Sequence, residues 1–373
     1  MTTQFDSVFA FQASRPTAGD PAEELTFDRL ADNKRRGVQT DFLIDNNLLI
    51  NIDDACNSID SVSDEMLRES KLYGWVAFLR ECERQGLDYG LTPGFGYTEM
   101  PKDLAKIRAG RLGENLRKLG LRWPHNDSPA DYAELGLAEA RFDTLDGNQQ
   151  YVMAMPFASL MLMHAVKHLG QDFSPIGRFK RYLREHRRLI SIVSSREIAI
   201  ARYVFAEPAD CPGPVNEVRA TLNNNFGRPD KKAATPLAGM EKAALNGAFD
   251  ITFLNAMNLV STKGFEGRRV DPWLFSCDRK LSLLVDYCFT SDLGTGESGL
   301  FSIAASHEDI SPYWKESAKV LKDYSAEGAR RVMRQMLLPE QDRKRVSRER
   351  IEGLPRMVRA VLEFADEAVR ETS

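Results

Sequence analysis

An uninterrupted apolar run that ends in an acid constrains the fold of this chain more than any other feature of its sequence. Phe42, Leu43 and Ile44 follow one another without a polar residue and run directly into Asp45. A short apolar run of this kind predicts a strand that is buried on both faces of a parallel sheet. Open α/β sheets bind their ligands at the carboxyl ends of their strands, so Asp45 stands where a site is expected.

The residues after the run leave two interpretations open. Asp45, Asn46 and Asn47 suit a turn or the start of a helix, because Asp and Asn favour both. A carboxylate flanked by small polar residues also suits a hard divalent cation, which prefers oxygen ligands. This stretch alone does not decide between a structural and a metal-binding role.

Three further acids occupy comparable positions. The apolar segment 273–277 is a second candidate for a buried strand, and it runs into Asp278. Glu99 and Asp250 each lie on or near a predicted helix beside such a strand. If the two strands are neighbours in a parallel sheet, their carboxyl ends meet and all four carboxylates, with Asp45, line one pocket.

A cluster of four carboxylates predicts a bound cation. Like charges a few ångströms apart raise one another's pKa, so the acids stay ionised together only beside a positive charge. One or two Mg²⁺ or Mn²⁺ ions would supply that charge, activate a water and stabilise the oxygens of a phosphoryl displacement. The pattern therefore predicts a metal-dependent phosphodiesterase or phosphatase.

Four segments also resemble those that carry the acids of the PIN-domain nucleases, a family within the PIN-like and FEN-like superfamily. They are Phe42–Ile50, Pro93–Glu99, Phe249–Leu254 and Trp273–Leu281. The resemblance implies that the metal-binding and catalytic acids are Asp45, Glu99, Asp250 and Asp278, with Asn47 bracing the first. Because the interval from Asp250 to Asp278 is long, Asp271 is an alternative third acid.

The resemblance also implies a fold and an activity. The fold class is α/β, with a parallel central sheet between helices, and the activity is endonucleolytic cleavage of RNA in preference to DNA. A non-catalytic module that binds nucleic acid or protein, and a metal-dependent phosphatase, are the alternative functions.

The chain is much longer than a typical domain of that family, which predicts a divided core. Residues 1–39 read as an N-terminal arm, 40–110 and 240–300 as the catalytic core, 111–239 as a helical insertion, and 301–373 as a helical C-terminal region. Within the insertion, five prolines predict a long connector over 207–238. The insertion would gate substrate or build a homodimer.

Net charge, cysteine content and apolar runs bear on the possible ligands and the cellular compartment of the protein. A net charge of −4 and a pI near 5.9 neither require nor exclude a nucleic-acid ligand, because binding needs only a local basic face. Five scattered cysteines without a CxxC pair predict reduced thiols. The N-terminus does not resemble a signal peptide, and no uninterrupted apolar run approaches the ~18 residues that span a bilayer. We therefore expect a cytoplasmic protein with no membrane segment.

Two basic segments are candidates for binding substrate phosphates. The first holds Arg178, Lys180, Arg181 and Arg184, and the second is the pair Arg268 and Arg269. Side chains three or four apart share a helix face, so the first segment would form a basic stripe. A solvated helix face, in which Glu185 neutralises its neighbours, explains the same stripe equally well.

Two histidines four residues apart have a simpler interpretation. His164 and His168 would lie on one helix face, as zinc ligands can. No third ligand stands near them in the sequence, so we interpret both as ordinary helix residues.

Overall fold

The computed structural model describes residues 2–15, 23–57, 59–124, 141–170, 172–191, 195–264, 267–292, 300–304 and 307–372. The chain forms two compact units. Unit 1 comprises Met1–Ala140 and Phe253–Ile303, and unit 2 comprises Arg141–Thr252 and Ala304–Ser373. These boundaries differ from the predicted insertion of 111–239.

Unit 1 combines strands and helices, and its strands form two sheets. Its elements are β1 (Thr3–Phe5), β2 (Val8–Phe11), β3 (Ser14–Arg15), α1 (Phe27–Arg35), β4 (Gln39–Ile44), α2 (Asn46–Cys56), α3 (Asp64–Glu69), α4 (Tyr73–Arg84), β5 (Gly90–Thr92), α5 (Gly94–Thr98), α6 (Lys102–Lys118), β6 (Val270–Ser276), α12 (Arg279–Tyr287), β7 (Cys288–Asp292) and β8 (Leu300–Ala304). Helix α6 packs on α2 and buries Leu112 and Leu116 in the same core, which explains why unit 1 extends beyond residue 110.

The main sheet has five strands in the order β1-β2-β6-β4-β5. Strand β4 pairs in parallel with β5 and β6, whereas β1 and β2 are antiparallel additions at the β6 side. The predicted α/β class is confirmed, but the sheet is parallel only in its centre. The predicted arm is part of the sheet because Val8, Ala10 and Phe11 of β2 are buried. A second sheet has the order β3-β7-β8.

Aromatic burial holds the two central strands together. Phe42, Ile44, Trp273 and Phe275 are completely buried, and the rings of Phe42 and Phe275 lie 4.7 Å apart across β4 and β6. Each such side chain contributes about 1.5–3 kcal/mol by leaving water. Both apolar runs are therefore the buried strands that the sequence predicts.

Unit 2 is helical in the part of the chain that the structure describes. Its helices are α7 (Gly147–Leu169), α8 (Pro175–Leu189), α9 (Ser195–Phe205), α10 (Pro214–Phe226), α11 (Pro236–Lys263, which ends in unit 1), α13 (Pro312–Met336) and α14 (Glu340–Thr372). The predicted connector over 207–238 is wrong, because Pro214 and Pro236 each begin a helix. Proline suits that position, where no intrahelical N–H bond is lost.

Helix α7 is the one described helix long and apolar enough to cross a membrane, with a mean hydropathy of 1.3. Within its apolar window, 72% of the segment is buried inside the protein. Such burial is typical of a core helix of a soluble protein.

Candidate acidic site at the strand ends

The register of the two central strands brings the first and fourth predicted acids to one edge of the sheet. Ile44 of β4 is paired with Phe275 of β6, so the next residues, Asp45 and Ser276, lie side by side. The backbone N–H of Asp45 donates to the carbonyl of Phe275 at 3.1 Å, which extends the pairing by one bond. Asp278 follows two residues after Ser276, at the same edge.

Asp45 is a buried carboxylate that caps a helix. It is only 3% exposed, and its Oδ1 accepts the N–H of Asn47 at 2.8 Å at the start of α2. The N-cap interpretation of this residue is thus confirmed. Asn47 braces Asp45 through its backbone, whereas its side chain is exposed.

One serine hydroxyl links Asp45 to Asp278. The Oγ of Ser276 donates a hydrogen bond to Oδ2 of Asp45 and accepts the backbone N–H of Asp278 at 2.8 Å. Ser276 itself is completely buried. The two acids therefore belong to one hydrogen-bond network at the strand ends.

Asp278 is neutralised by a neighbour on its own helix. It caps α12, where its Oδ1 accepts the N–H of Lys280 at 2.8 Å, and its Oδ2 lies 3.1 Å from the Nζ of Lys280. Both side chains are about four-fifths shielded from solvent. Lys280 therefore supplies a positive charge at the place where a cation is expected.

A thiol between the two acids is held in its protonated form. Burial raises the pKa of Cys277 to about 11, a hydrogen bond from Asn51 opposes that rise, and the charge of Asp45 adds to it. The thiolate is the nucleophilic form of cysteine. Neutral pH therefore favours the thiol of Cys277 over its thiolate.

Glu99 ends a short helix that abuts the carboxyl end of β4. A Cβ atom on Gly96 of α5 would lie 2.7 Å from the carbonyl oxygen of Ile44 and 2.9 Å from the backbone nitrogen of Asn46. Only a residue without a side chain allows this approach. Glu99 follows one turn later as the C-cap of α5 and is half-buried.

The two candidates for the third acid have different positions. Asp250 lies on α11 within unit 2 and is buried. Asp271 lies near the start of β6, five residues and ~16 Å of strand before Ser276, so it is at the opposite edge of the sheet from Asp45.

Asp271 has a structural role at that opposite edge. Arg29 donates to both of its carboxylate oxygens at 2.7 and 2.8 Å, and Asn33, Gln12 and Trp273 donate to it as well. Burial alone would raise the pKa of Asp271, but these hydrogen bonds and the charge of Arg29 outweigh it and lower that pKa.

The four predicted acids do not form a preformed metal centre. Among the residues that the structure describes, no three His, Cys, Asp or Glu side chains are grouped so that they could hold a metal ion. The structure brings Asp45 and Asp278 to one edge and leaves Asp271 at the other.

The predicted phosphate-binding cations of α8 make ion pairs and a cation–π contact within unit 2. Arg178 pairs with Glu207 at 3.1 Å, Lys180 with Glu316 at 2.8 Å, and Arg184 with Glu185 at 3.0 Å, while Arg181 lies over the ring of Phe173. Such contacts are compatible with the alternative interpretation of this segment, a solvated helix face whose charges are neutralised by neighbouring acids. Arg268 and Arg269 are exposed just before β6, at the edge opposite Asp278.

Sequence reasoning missed Ser276 and Lys280. Both flank Asp278 at a distance of two residues, a spacing at which Ser and Asp side chains bond local backbone groups. The signal in the sequence was the pattern Ser-x-Asp-x-Lys after an apolar strand.

Comparisons of the chain with protein families, with curated proteins and with solved structures found no match in any of the three.

Proposed function

We propose that this protein is a metal-dependent nuclease with a PIN-like core that cleaves RNA in preference to DNA. The observation that carries the proposal is the link between Asp45 and Asp278 through Ser276, at the carboxyl ends of two neighbouring parallel strands. This edge is where α/β sheets bind ligands. The resemblance of the four acid-bearing segments to PIN-domain nucleases supports the choice of reaction.

Asp45 and Asp278 would hold the metal, with Glu99 as a further ligand. Carboxylate oxygens are the ligands that Mg²⁺ and Mn²⁺ prefer, so the chemistry of the two linked acids fits such an ion. The ion would supply an activated water and charge stabilisation for the displacement at phosphorus. Ser276 would orient Asp45, and Lys280 would give up its contact with Asp278 when the ion binds.

The first test is cleavage of labelled single-stranded RNA and DNA with Mn²⁺. We expect wild-type protein to cut RNA and the Asp45→Asn variant to be inactive, because an amide cannot supply the negative charge. Asp54→Asn is the matched control, since Asp54 lies on the same helix but is exposed. Full activity in Asp45→Asn would overturn the assignment.

Metal binding is tested without any substrate. An ion that binds only the folded protein stabilises it by about 2.7 kcal/mol at ~100 times its dissociation constant. We expect Mn²⁺ to raise the melting temperature of the wild type and of Asp54→Asn, and to leave Asp45→Asn and Asp278→Asn unchanged. An equal rise in all four proteins would place the metal elsewhere.

A non-catalytic binding module is the second candidate. It is favoured by the same edge of the sheet, where Asp45 is almost completely buried and Lys280 already neutralises Asp278. This candidate predicts that Mn²⁺ has no effect on the melting temperature and that RNA stays intact in all variants.

A further inference from the structure

One face of helix α14 is apolar and buried in its C-terminal half and more polar and exposed in its N-terminal half. In its C-terminal half this face carries Val358, Val361, Ala365 and Ala368, which are buried where α14 packs along α7. Continuing the same helical spacing toward the N-terminus gives Ile351, Ser347 and Arg343, which are exposed. The apolar face thus becomes a polar, cationic one.

The exposed part of this face forms one wall of a groove of about 660 Å³. Tyr151 of α7 lies across from Arg343, Arg348 and Ile351 of α14. Tyr151 is 39% exposed and Ile351 is 53% exposed. The groove therefore combines an accessible aromatic ring with two arginines, all within unit 2.

The groove lies in a basic part of the chain. Residues 330–359 contain ten Arg or Lys and only four Asp or Glu, although the whole chain has a net charge of −4. Three of those four acids pair with cations of the same helix: Lys344 pairs with Glu340 at 2.6 Å, and Arg345 pairs with Asp342 at 3.2 Å and with Glu349 at 3.1 Å. Glu340 also lines the groove, so its charge there is compensated.

The other cations of this segment have no acidic partner. Seven exposed arginines have no carboxylate within ion-pair distance in the described part of the chain: Arg330, Arg334, Arg343, Arg348, Arg350, Arg356 and Arg359. Glu352, the fourth acid of the segment, also lines the groove. The arginines without an acidic partner contrast with α8, where Lys180 and Arg184 are paired.

We propose that this groove binds single-stranded nucleic acid. Its unpaired arginines attract phosphates, and Tyr151 offers a face on which a base stacks, the combination that single-strand binding surfaces use. A protein partner would need a larger apolar surface than one tyrosine and one isoleucine. The choice of a nucleic acid over other polyanions rests on the proposed function.

The test measures binding without cleavage. Fluorescence anisotropy of labelled single-stranded RNA is recorded in EDTA, with the Asp45→Asn substitution in every protein. We expect Arg343→Ser/Arg348→Ser to weaken binding about tenfold at low salt and to reduce the slope of log affinity against log salt by about 1.4, because each lost phosphate contact removes about 0.7. Tyr151→Ala should weaken binding of RNA about tenfold and leave heparin binding unchanged.

The control removes the same charge elsewhere. Lys106→Ser/Arg117→Ser changes two exposed cations of α6, and we expect less than a twofold effect. The proposal is overturned if this control weakens RNA binding as much as the Arg343/Arg348 pair, if Tyr151→Ala has no effect, or if the unaltered groove binds no RNA. Cleavage by the wild type is scored separately, so a failed nuclease assignment and a failed groove remain distinguishable.

Discussion

At the scale of single residues, the hydroxyl of Ser276 links the two acids Asp45 and Asp278. This hydroxyl satisfies Oδ2 of Asp45 and the backbone N–H of Asp278 at once, and all three groups lie at the buried edge of the sheet. Removing a buried hydrogen-bonding group leaves its partners unsatisfied, which costs more than the bond contributes. The Ser276 hydroxyl therefore helps to position both acids, together with their helix-capping bonds to Asn47 and Lys280.

We expect Ser276→Ala to lower the free energy of unfolding by about 1–3 kcal/mol, measured by urea denaturation. Ser282→Ala is the matched control, because Ser282 is also buried but bonds only the nearby carbonyl of Arg279. If both variants lose the same stability, the hydroxyl of Ser276 does not join the two acids.

At the scale of secondary structure elements, the close approach of α5 to β4 positions the site. The backbone of Gly96 lies against Ile44 and Asn46, so α5 is held at the carboxyl end of the strand and Glu99 follows it. The stacked rings of Phe95 and Phe253, 4.5 Å apart, hold the same helix from another direction. The position of α5 is thus fixed by packing on two sides.

Replacing Gly96 by alanine tests this contact. The new Cβ would lie 2.6 Å from Leu49 and under 3 Å from two backbone atoms, so we expect a loss of about 1–3 kcal/mol of stability in thermal and urea unfolding. Gly110→Ala in α6 has open space around it and should stabilise by up to about 1 kcal/mol through helix propensity. A stable Gly96→Ala variant would show that α5 is not tightly seated.

At the scale of the whole molecule, two buried histidines of unit 2 make stability depend on pH. Burial lowers the pKa of His164 and of His186 to about 3. His186 bonds Ser159 and Tyr324, whereas neither ring nitrogen of His164 has a hydrogen-bond partner among the residues that the structure describes. Both rings are therefore neutral in the folded protein at neutral pH.

The sign of the pH effect follows from proton binding. Unfolded histidine has a pKa of about 6.5, so between that pH and about 3 the unfolded chain binds protons that the folded chain does not. Each histidine then lowers the free energy of unfolding by about 1.4 kcal/mol per pH unit as pH falls below 6.5. We expect the two together to lower it by about 2.7 kcal/mol per unit, measured by urea unfolding between pH 7 and 4.

His164→Leu isolates one of these contributions. It removes an unpartnered ring from an apolar position, so the part of the slope that the histidines supply should fall by about half with little loss of stability at pH 7. His168→Leu, one turn further along α7 and only half-buried, is the control. An unchanged slope in His164→Leu would assign the acid sensitivity to other groups.

The sequence alone determined the parts of this protein that depend on local pattern. The apolar runs before Asp45 and Asp278 predicted two buried strands, and the structure has them as β4 and β6. Consecutive large apolar side chains point to both faces of a strand, and both faces must then be shielded from water. Burial on both faces can therefore be predicted without knowing which strands are its neighbours. The α/β class and the placing of these two acids at strand ends follow from it.

Only the tertiary structure decided which residues meet. The polar N-terminal segment gave no sign that β2 would pair with β6, because that pairing depends on strands far apart in sequence. The basic stripe of α8 is visible in the sequence, but the ion pair between its Lys180 and Glu316 of α13 is visible only in the structure. In the sequence, Asp271 and Asp278 are both acids close to an apolar run. In the structure, Asp271 lies near the start of β6 and Asp278 follows its end, so they are at opposite edges of the sheet. Local sequence sets the preference of each segment, whereas charge pairing and sheet position depend on contacts between distant segments.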